Sequence, residues 1–306
     1  MAAKERSRLV PILLVIVVLV VAGVGAGLLD YYNHRSTGSP QTTIQLGYNA
    51  TVNYIGFFGS GPQQGRVFDT SFYSVATNNV TYLKSLEFTM RPNESSYTPL
   101  AVHIGLSTPA GGYSLNGVSF ISVVTGFWQG LIGIPGNQTT SIVVPPALGY
   151  GSPVAGCYTN ASLAFTVPVL LTMSLSQFSS SYPGQSASQG AQFPDPTYGW
   201  PVYVVSANST RVVLLNQPSV GWTAKSGGWY VEVTAVNSTS ITVVNELSPA
   251  QAGLVSGTSS ASVCGTSTYI VSAVNLATGT YTRDYNKEVV GQTLVFQVTV
   301  VGIFPD

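Results

Sequence analysis

Charged side chains are scarce in this chain of 306 residues. Asp, Glu, Lys and Arg make up 7% of the sequence, the formal net charge is zero, and no charged residue occurs from Ser95 through Pro194. Proteins that bind nucleic acid neutralise its phosphates with clustered Lys and Arg, so this composition excludes a nucleic-acid partner. The uncharged stretch must stay soluble through Ser, Thr, Asn and Gln.

Cysteine and histidine are equally rare, with two of each: Cys157, Cys264, His34 and His103. This supply gives no recognisable metal site, no catalytic set of the Ser-His-Asp or Cys-His kind, and no reason to expect a cofactor. His103 lies in an apolar strand and is interpreted as a core histidine. The cysteines would pair in an oxidising compartment, and the alternative is two unpaired, buried thiols.

One long apolar run, Leu9 to Leu29, stands near the N-terminus. At about 1.5 Å per residue a helix of this length spans roughly 30 Å, the thickness of a bilayer core. Lys4, Arg6 and Arg8 precede it, which predicts a cytoplasmic N-terminus and a main body outside the cell membrane. The alternative is a cleaved signal peptide, because Ala22 to Ala26 offers small residues. Both interpretations export the body of the protein.

Sequons of the form Asn-X-Ser/Thr are compatible with export. They begin at Asn49, Asn79, Asn93, Asn137, Asn160, Asn208 and Asn237. A chain rich in Asn, Ser and Thr contains such triplets by chance, so they add little on their own.

Alternating apolar residues predict a β-rich body. Strands are expected at residues 50–56, 99–105, 137–144 and 293–303. Helical spacing of apolar residues predicts one short helix at residues 127–132, capped by Thr125. The segment 152–288 is rich in Ser, Gly, Thr and Val, and it shows strands at 202–205, 211–215, 229–236 and 241–244 without a convincing helix.

The stretch Val143 to Gly151 stands at the centre of the chain. Pro145 and Pro146 cannot donate to a sheet ladder, so the strand must end there. The glycines on both sides of Tyr150 allow a sharp bend. The sequence therefore predicts a phenol presented at a sheet edge, although an ordinary strand end with a packed tyrosine gives the same pattern.

Several motifs follow one another in a recognisable order. They are Val52 to Gly56, Gly65 to Ser71, Val123 to Gly130, Val144 to Gly151, and Leu294 to Phe296. This order resembles the FKBP-type peptidyl-prolyl cis-trans isomerases. The resemblance covers about half of the predicted exported chain. It implies an α+β fold in which a twisted antiparallel sheet wraps around one short helix.

The resemblance also implies a binding site between helix and sheet. Catalytic roles would fall to Tyr54, Asp69 and Tyr150, and the substrate-binding bowl would be formed by Phe68, Leu100, Val123, Val124, Phe127 and Phe296. Burying a lone carboxylate such as Asp69 is costly, so it should have a partner, for which the Tyr54 hydroxyl is the best candidate. An exposed turn aspartate that caps local amides is the alternative.

Three positions depart from the family pattern. Phe127 stands where the helix usually begins with Trp, and Leu100 stands where an aromatic residue is usual. Phe72 and Tyr73 occupy the place of a basic residue that often follows the aspartate. These departures affect the expected catalytic efficiency more than the fold or the ligand class.

The family motifs are interrupted after Tyr150-Gly151 by a long segment, and this arrangement resembles the family members that carry a chaperone domain inserted in the flap. The chain is therefore expected to consist of a cytoplasmic stub with a membrane anchor (1–30), a tether (31–45), a catalytic domain (46–151 and 287–306) and a mainly-β insert (152–286). Residues 164–173 and the tryptophans Trp200, Trp222 and Trp229 could present an apolar face to unfolded chains. Alternatively, they form the core of the insert.

The sequence thus predicts a membrane-tethered, extracytoplasmic prolyl isomerase that assists folding. Its partners would be proline-containing unfolded or nascent exported polypeptides. A non-catalytic peptide-binding, chaperone or surface protein on the same scaffold is the alternative, and a purely structural envelope protein is a third hypothesis.

Overall fold

A computed structural model describes residues 42–106, 113–115 and 117–305. The chain divides into Met1–Thr43, of which only Thr42 and Thr43 are described, and Ile44–Asp306. Within the described ranges no helix has the length and apolar character needed to cross a membrane. The predicted anchor, Leu9 to Leu29, lies outside the described residues.

The described chain is mainly β. Its strands are β1 (Asn49–Phe58), β2 (Val67–Thr70), β3 (Leu100–His103), β4 (Tyr113–Leu115), β5 (Val118–Phe120), β6 (Thr139–Val144), β7 (Tyr158–Ser162), β8 (Ala164–Pro168), β9 (Leu170–Ser174), β10 (Gln192–Pro194), β11 (Pro201–Ala207), β12 (Arg211–Asn216), β13 (Thr223–Ser226), β14 (Trp229–Val236), β15 (Ser240–Glu246), β16 (Ser256–Val263), β17 (Thr266–Asn275), β18 (Thr280–Asp284) and β19 (Leu294–Phe304). The α-helices within these ranges are short: α1 (Tyr73–Thr77), α2 (Thr125–Leu131) and α3 (Leu175–Ser181).

A five-stranded antiparallel sheet joins the two ends of the described chain. Its order is β2-β1-β19-β6, and β3 pairs with the first half of β1. The long pairing of β1 with β19 buries every second residue of β19 up to Val300, as the alternating sequence predicted. Helix α2 lies against β6 so closely that a Cβ on Gly130 would come 2.3 Å from Ile142.

The predicted helix at 127–132 is present, but its predicted cap is wrong. Helix α2 begins at Thr125 itself, and its N-cap is Val124, which makes no side-chain hydrogen bond. Thr125 therefore belongs to the first turn. The strand before the double proline ends at Val144, as expected, because Pro145 has no N–H for the ladder.

The predicted core histidine has a hydrogen-bond partner. The His103 Nδ1 atom lies 3.0 Å from Asn49 Oδ1, across the β1–β3 pairing. Asn49 is fully buried. Its sequon is therefore inaccessible to a glycan in the folded protein.

The chain returns to the five-stranded sheet through a buried carboxylate. Glu288 accepts hydrogen bonds from Gln63 Nε2 at 3.0 Å, from the Glu87 backbone N–H at 3.1 Å and from the Ser85 hydroxyl. In return, the Glu288 backbone N–H donates to the Glu87 carboxylate at 3.1 Å. These reciprocal bonds fix residues 85–88 against the re-entering segment.

The hydrogen-bonded pair Glu87 and Glu288 should make the free energy of unfolding depend on pH. Burial, assisted by the charge of Glu288, raises the pKa of Glu87 above its ordinary value of 4.5. The folded protein then binds more protons at Glu87 than the unfolded chain does. The stabilising contribution of Glu87 is therefore fully present below about pH 4.5 and is lost as pH rises through the raised pKa. We expect Glu87→Gln to flatten the dependence of the free energy of unfolding on pH above about pH 4.5 in denaturant titrations. The matched control Glu246→Gln, at an exposed position, should leave the slope unchanged, and a Glu87→Gln slope identical to wild type would refute this account.

Residues 157–285 form a three-sheet region with its own hydrophobic core. The first sheet has the order β10-β11-β12-β9, the second β13-β14-β15-β8, and the third β16-β17-β18-β7. One continuous segment, β7 to β9, thus supplies the edge strand of all three sheets. Three groups of three strands follow along the chain. The first group pairs with β9, the second with β8 and the third with β7.

The three sheets are structural repeats. A register shift recurs at Val204/Ser206, Val233/Ala235 and Val271/Ala273. Equivalent backbone bonds run from Asn216 to Val169, from Asn245 to Leu163 and from Tyr285 to Cys157, at 2.8, 2.9 and 2.9 Å. In the first two sheets a tryptophan donates to the asparagine of the same sheet, with Trp200–Asn216 at 3.0 Å and Trp229–Asn245 at 2.8 Å.

Two of the sequons belong to this repeat. The Asn208 and Asn237 side chains accept hydrogen bonds from the second and third residues that follow them, at the hairpin turns of the first two sheets. Asparagine is favoured at such turns for this bonding. The Asn-Ser-Thr triplets are therefore explained by turn chemistry.

The structure answers two further expectations about this region. Cys157 and Cys264 form a disulfide. The expectation of no helix is wrong at α3, which begins with a capping box between Ser174 and Gln177.

The proposed apolar face is largely internal. Trp200 is 1% exposed and Trp229 is 5% exposed, whereas Leu170 is exposed to 54%. Phe165, Val167, Leu171, Met173 and Trp222 pack against the region's core. The alternative, that these residues build the core, describes most of them.

Candidate functional site

Four aromatic rings from four elements meet beside helix α2. Phe296 on β19 is at the centre, with ring centroids 4.7 Å from Phe127 on α2, 5.5 Å from Phe68 on β2 and 6.4 Å from Tyr54 on β1. Most of these pairs meet edge to face, the arrangement favoured by aromatic quadrupoles. The motifs that hold them are far apart in sequence, and the β1–β19 pairing brings them together.

The rings form a closed floor with a more accessible rim. Tyr54, Phe127 and Phe296 are more than nine-tenths buried. Phe68 and Leu100 are half-buried and pack on the same core, as do Val123 and Val124 just before α2. A cavity of about 320 Å³ opens beside Tyr54 and Leu100 and is also lined by Arg91, Val118 and Ile121.

Asp69 is held from two sides. The Tyr54 hydroxyl donates to Asp69 Oδ2, and Arg91 Nη2 lies 3.2 Å from Asp69 Oδ1. Arg91 Nη2 also donates to the Tyr54 oxygen at 3.3 Å. Burial and then the charge of Asp69 raise the pKa of Tyr54, so the phenol stays protonated and keeps donating.

Asp69 also makes the local bond expected of a turn aspartate, because its Oδ1 accepts from the Thr70 backbone N–H at 2.8 Å. Both interpretations of this residue therefore describe part of its surroundings. The half-exposed carboxylate keeps contact with solvent beside the aromatic rings, with a relative side-chain exposure of 46%.

Arg91 was not predicted from the sequence. The resembled family often has a basic residue soon after the aspartate, where this chain has Phe72 and Tyr73, and the structure supplies the cation from a longer connection instead. Arg91 is fixed by the Ser96 carbonyl at 3.3 Å and by the Tyr97 ring, whose centroid lies 5.1 Å from the guanidinium carbon. The sequence did not single out this pair, because Arg66 and Lys84 lie closer to Asp69 along the chain than Arg91 does.

Tyr150 is 48% exposed. It follows the short 3-10 helix Pro146–Leu148 and precedes Gly151, whose φ of +78° favours glycine. Burial and the negative charge of Asp69 both raise the pKa of Tyr150. The phenol is thus within electrostatic range of the carboxylate, protonated and free to donate to a ligand.

Together these groups form the candidate site. It offers an apolar floor, a neutral phenol donor and a carboxylate whose charge is balanced by Arg91. In the described part of the chain no three His, Cys, Asp or Glu side chains are grouped so as to hold a metal.

A scan against protein-family models finds no match to this chain, and a search of curated proteins finds none either.

Proposed function

We propose that this chain is a peptidyl-prolyl cis-trans isomerase with an FKBP-like catalytic domain. The observation that carries the proposal is the meeting of the rings of Tyr54, Phe68, Phe127 and Phe296. Asp69 is bonded to Tyr54, and Tyr150 lies within electrostatic range of Asp69. Such a site has what the reaction needs, because an X-Pro bond isomerises by rotation and no bond is made or broken.

The catalytic role follows from differential binding. The barrier to peptide-bond rotation is about 18–20 kcal/mol because the planar amide is stabilised by resonance. The twisted amide has lost this resonance, and an apolar bowl that holds the proline ring while Tyr150 donates to a substrate carbonyl favours the twisted form. Every 1.4 kcal/mol of this preference, to a rough approximation, accelerates the reaction tenfold.

The domain arrangement belongs to the same proposal. Residues 46–151 and 287–306 make the catalytic domain, and 152–286 are an insert in its flap. The separate cores of the two parts support this division. A folding assistant outside the cell membrane, tethered through residues 9–29, would meet proline-containing nascent or unfolded exported polypeptides. The Cys157–Cys264 disulfide supports an oxidising location.

Catalysis can be tested on Tyr150. We expect the full chain to accelerate exchange of a Phe-Pro peptide measured by NMR, and Tyr150→Phe to lower this rate roughly two- to tenfold, the cost of one hydrogen bond. The melting temperature should not change, because the side chain is 48% exposed. Tyr230→Phe, at a phenol 58% exposed in the three-sheet region, is the matched control. An inactive wild-type protein would refute the isomerase, and an unchanged Tyr150→Phe rate would refute the role of this phenol.

The second candidate is a peptide-binding protein without catalysis. The observation favouring it is Leu100, which is a half-buried aliphatic residue at the rim where the resembled family has an aromatic one. A wider rim would grip a proline segment less firmly around the amide. Binding of the Phe-Pro peptide in calorimetry without faster exchange would identify this function.

A further inference from the structure

The repeat of the three sheets makes their core positions comparable. In each sheet the residue before the register shift pairs with a residue of the next strand, namely Val204 with Leu214, Val233 with Val243, and Val271 with Arg283. Leu214 and Val243 are fully buried aliphatic residues. The third sheet therefore carries a guanidinium where the other two carry core side chains.

Two neighbouring core positions change in the same way. The aliphatic residues of the first two sheets become tyrosines in the third. The equivalent positions are Val202, Val231 and Tyr269, and then Val212, Ile241 and Tyr281. Replacing three core residues with two phenols and a cation costs free energy through lost packing and desolvation. The fold does not need this replacement, because the first two sheets form without it.

The replaced residues line a cavity of about 380 Å³ between the second and third sheets, a size within the usual range for ligand sites. Trp229 and Phe165 form its apolar side, and Asn245 adds a polar group. A Cβ at Gly257 would lie 2.7 Å from both the Trp229 ring and the Tyr269 oxygen, so glycine is required for both rings to reach the cavity.

Arg283 is oriented but not neutralised. Its Nε and Nη2 atoms donate to the Tyr281 oxygen at 3.1 and 2.7 Å, and its guanidinium carbon lies 4.8 Å from the Tyr269 ring centroid. Among the described residues the only ion pair joins Arg91 to Asp69. The adjacent Asp284 instead accepts from the backbone and side chain of Asn286. The guanidinium thus keeps unused N–H groups and an unbalanced charge.

We propose that this cavity binds a carboxylate attached to an apolar, preferably aromatic, group. A carboxylate matches the planar guanidinium and its single charge, whereas a phosphate dianion would call for further donors or cations. The apolar part of the ligand would lie against Trp229 and Phe165. This site is separate from the aromatic floor of Tyr54 and Phe296 and does not depend on isomerase activity.

Calorimetry with the full chain tests the proposal, using N-acetylphenylalanine and its uncharged amide as probes. The acid should bind at least about tenfold more tightly than the amide. Arg283→Leu should abolish this preference, and it should fold because Leu214 occupies the equivalent position in the first sheet. Arg211→Leu, the same substitution at an exposed arginine on β12, should retain the preference.

Each result decides the question. Equal binding of acid and amide by wild type, absence of binding, or an undiminished preference in Arg283→Leu with an unchanged melting temperature would overturn the proposal. A short peptide ending in free phenylalanine identifies the source of the carboxylate. Tighter binding of this peptide than of the single residue supports a polypeptide C-terminus, and equal binding supports a small organic acid.

Discussion

Reduction of the Cys157–Cys264 bridge is expected to lower the free energy of unfolding of the three-sheet region by several kcal/mol. The bridge joins residues 107 positions apart. On the chain-entropy model, closing a loop of this size restricts the unfolded ensemble enough to contribute about 4.7 kcal/mol. A loss of this size is a large share of the stability of an ordinary domain, about 5–15 kcal/mol.

The bridge also holds an unusual turn. Cys264 has φ of +51° and Gly265 has φ of +82°, in the hairpin turn between β16 and β17. Two positive φ angles are typical of a type I′ turn, which favours Asn-Gly. Cys157→Ala with Cys264→Asn therefore removes the bridge while relieving the turn, and it should lose less stability than Cys157→Ala with Cys264→Ala.

Denaturant titration followed by tryptophan fluorescence can measure the effect, since Trp200, Trp222 and Trp229 all lie in the three-sheet region. Reduced wild type is the control that changes no residue. It and the alanine pair should agree to within about 1 kcal/mol. A loss below about 1 kcal/mol in reduced wild type would contradict the entropic account.

The sequence predicted the features that depend on local pattern. Alternation located β1 and β19, and the double proline located the end of β6. Two of the four clustered aromatic residues lie on these strands, Tyr54 on β1 and Phe296 on β19. Because β1 and β19 pair along their length, the proximity of these two rings follows from the strands alone.

The sequence did not predict features that depend on the path of connections. Arg91 reaches Asp69 across a connection whose local pattern does not specify its course, so spacing along the chain was misleading. The repeat of the three sheets is only partly visible in the sequence. Trp200, Asn208 and Asn216 recur 29 positions later as Trp229, Asn237 and Asn245. The third repeat breaks this spacing, and the edge strands lie together in residues 158–174, far from the hairpins that complete each sheet. Arg283 becomes unusual only when the equivalent Leu214 and Val243 are known.

Replacement of Asp69 by alanine is expected to lower kcat/KM for a Phe-Pro peptide by about ten- to a hundredfold, equivalent to about 1.4–2.8 kcal/mol. The carboxylate positions the Tyr54 phenol and balances Arg91, with 3.2 Å between Asp69 Oδ1 and Arg91 Nη2. Without the carboxylate, the positive charge of Arg91 is unbalanced beside the aromatic rings, and the Tyr54 hydroxyl must donate to another acceptor. The matched control is Asp195→Ala, which removes a carboxylate bonded to the Tyr182 hydroxyl in the three-sheet region and should leave kcat/KM unchanged.

A double-mutant cycle of Asp69→Ala with Arg91→Ala tests whether these two groups act as a unit. If Arg91 serves mainly to balance and orient Asp69, the double variant should lose no more activity than Asp69→Ala alone, because Arg91 has no contribution left to lose once Asp69 is absent. Losses that simply add would place Arg91 in separate contact with the substrate. Full activity in Asp69→Ala, with the melting temperature retained, would refute the assignment of the site, since an isomerase using the same aromatic floor would then have no need of the carboxylate at its edge.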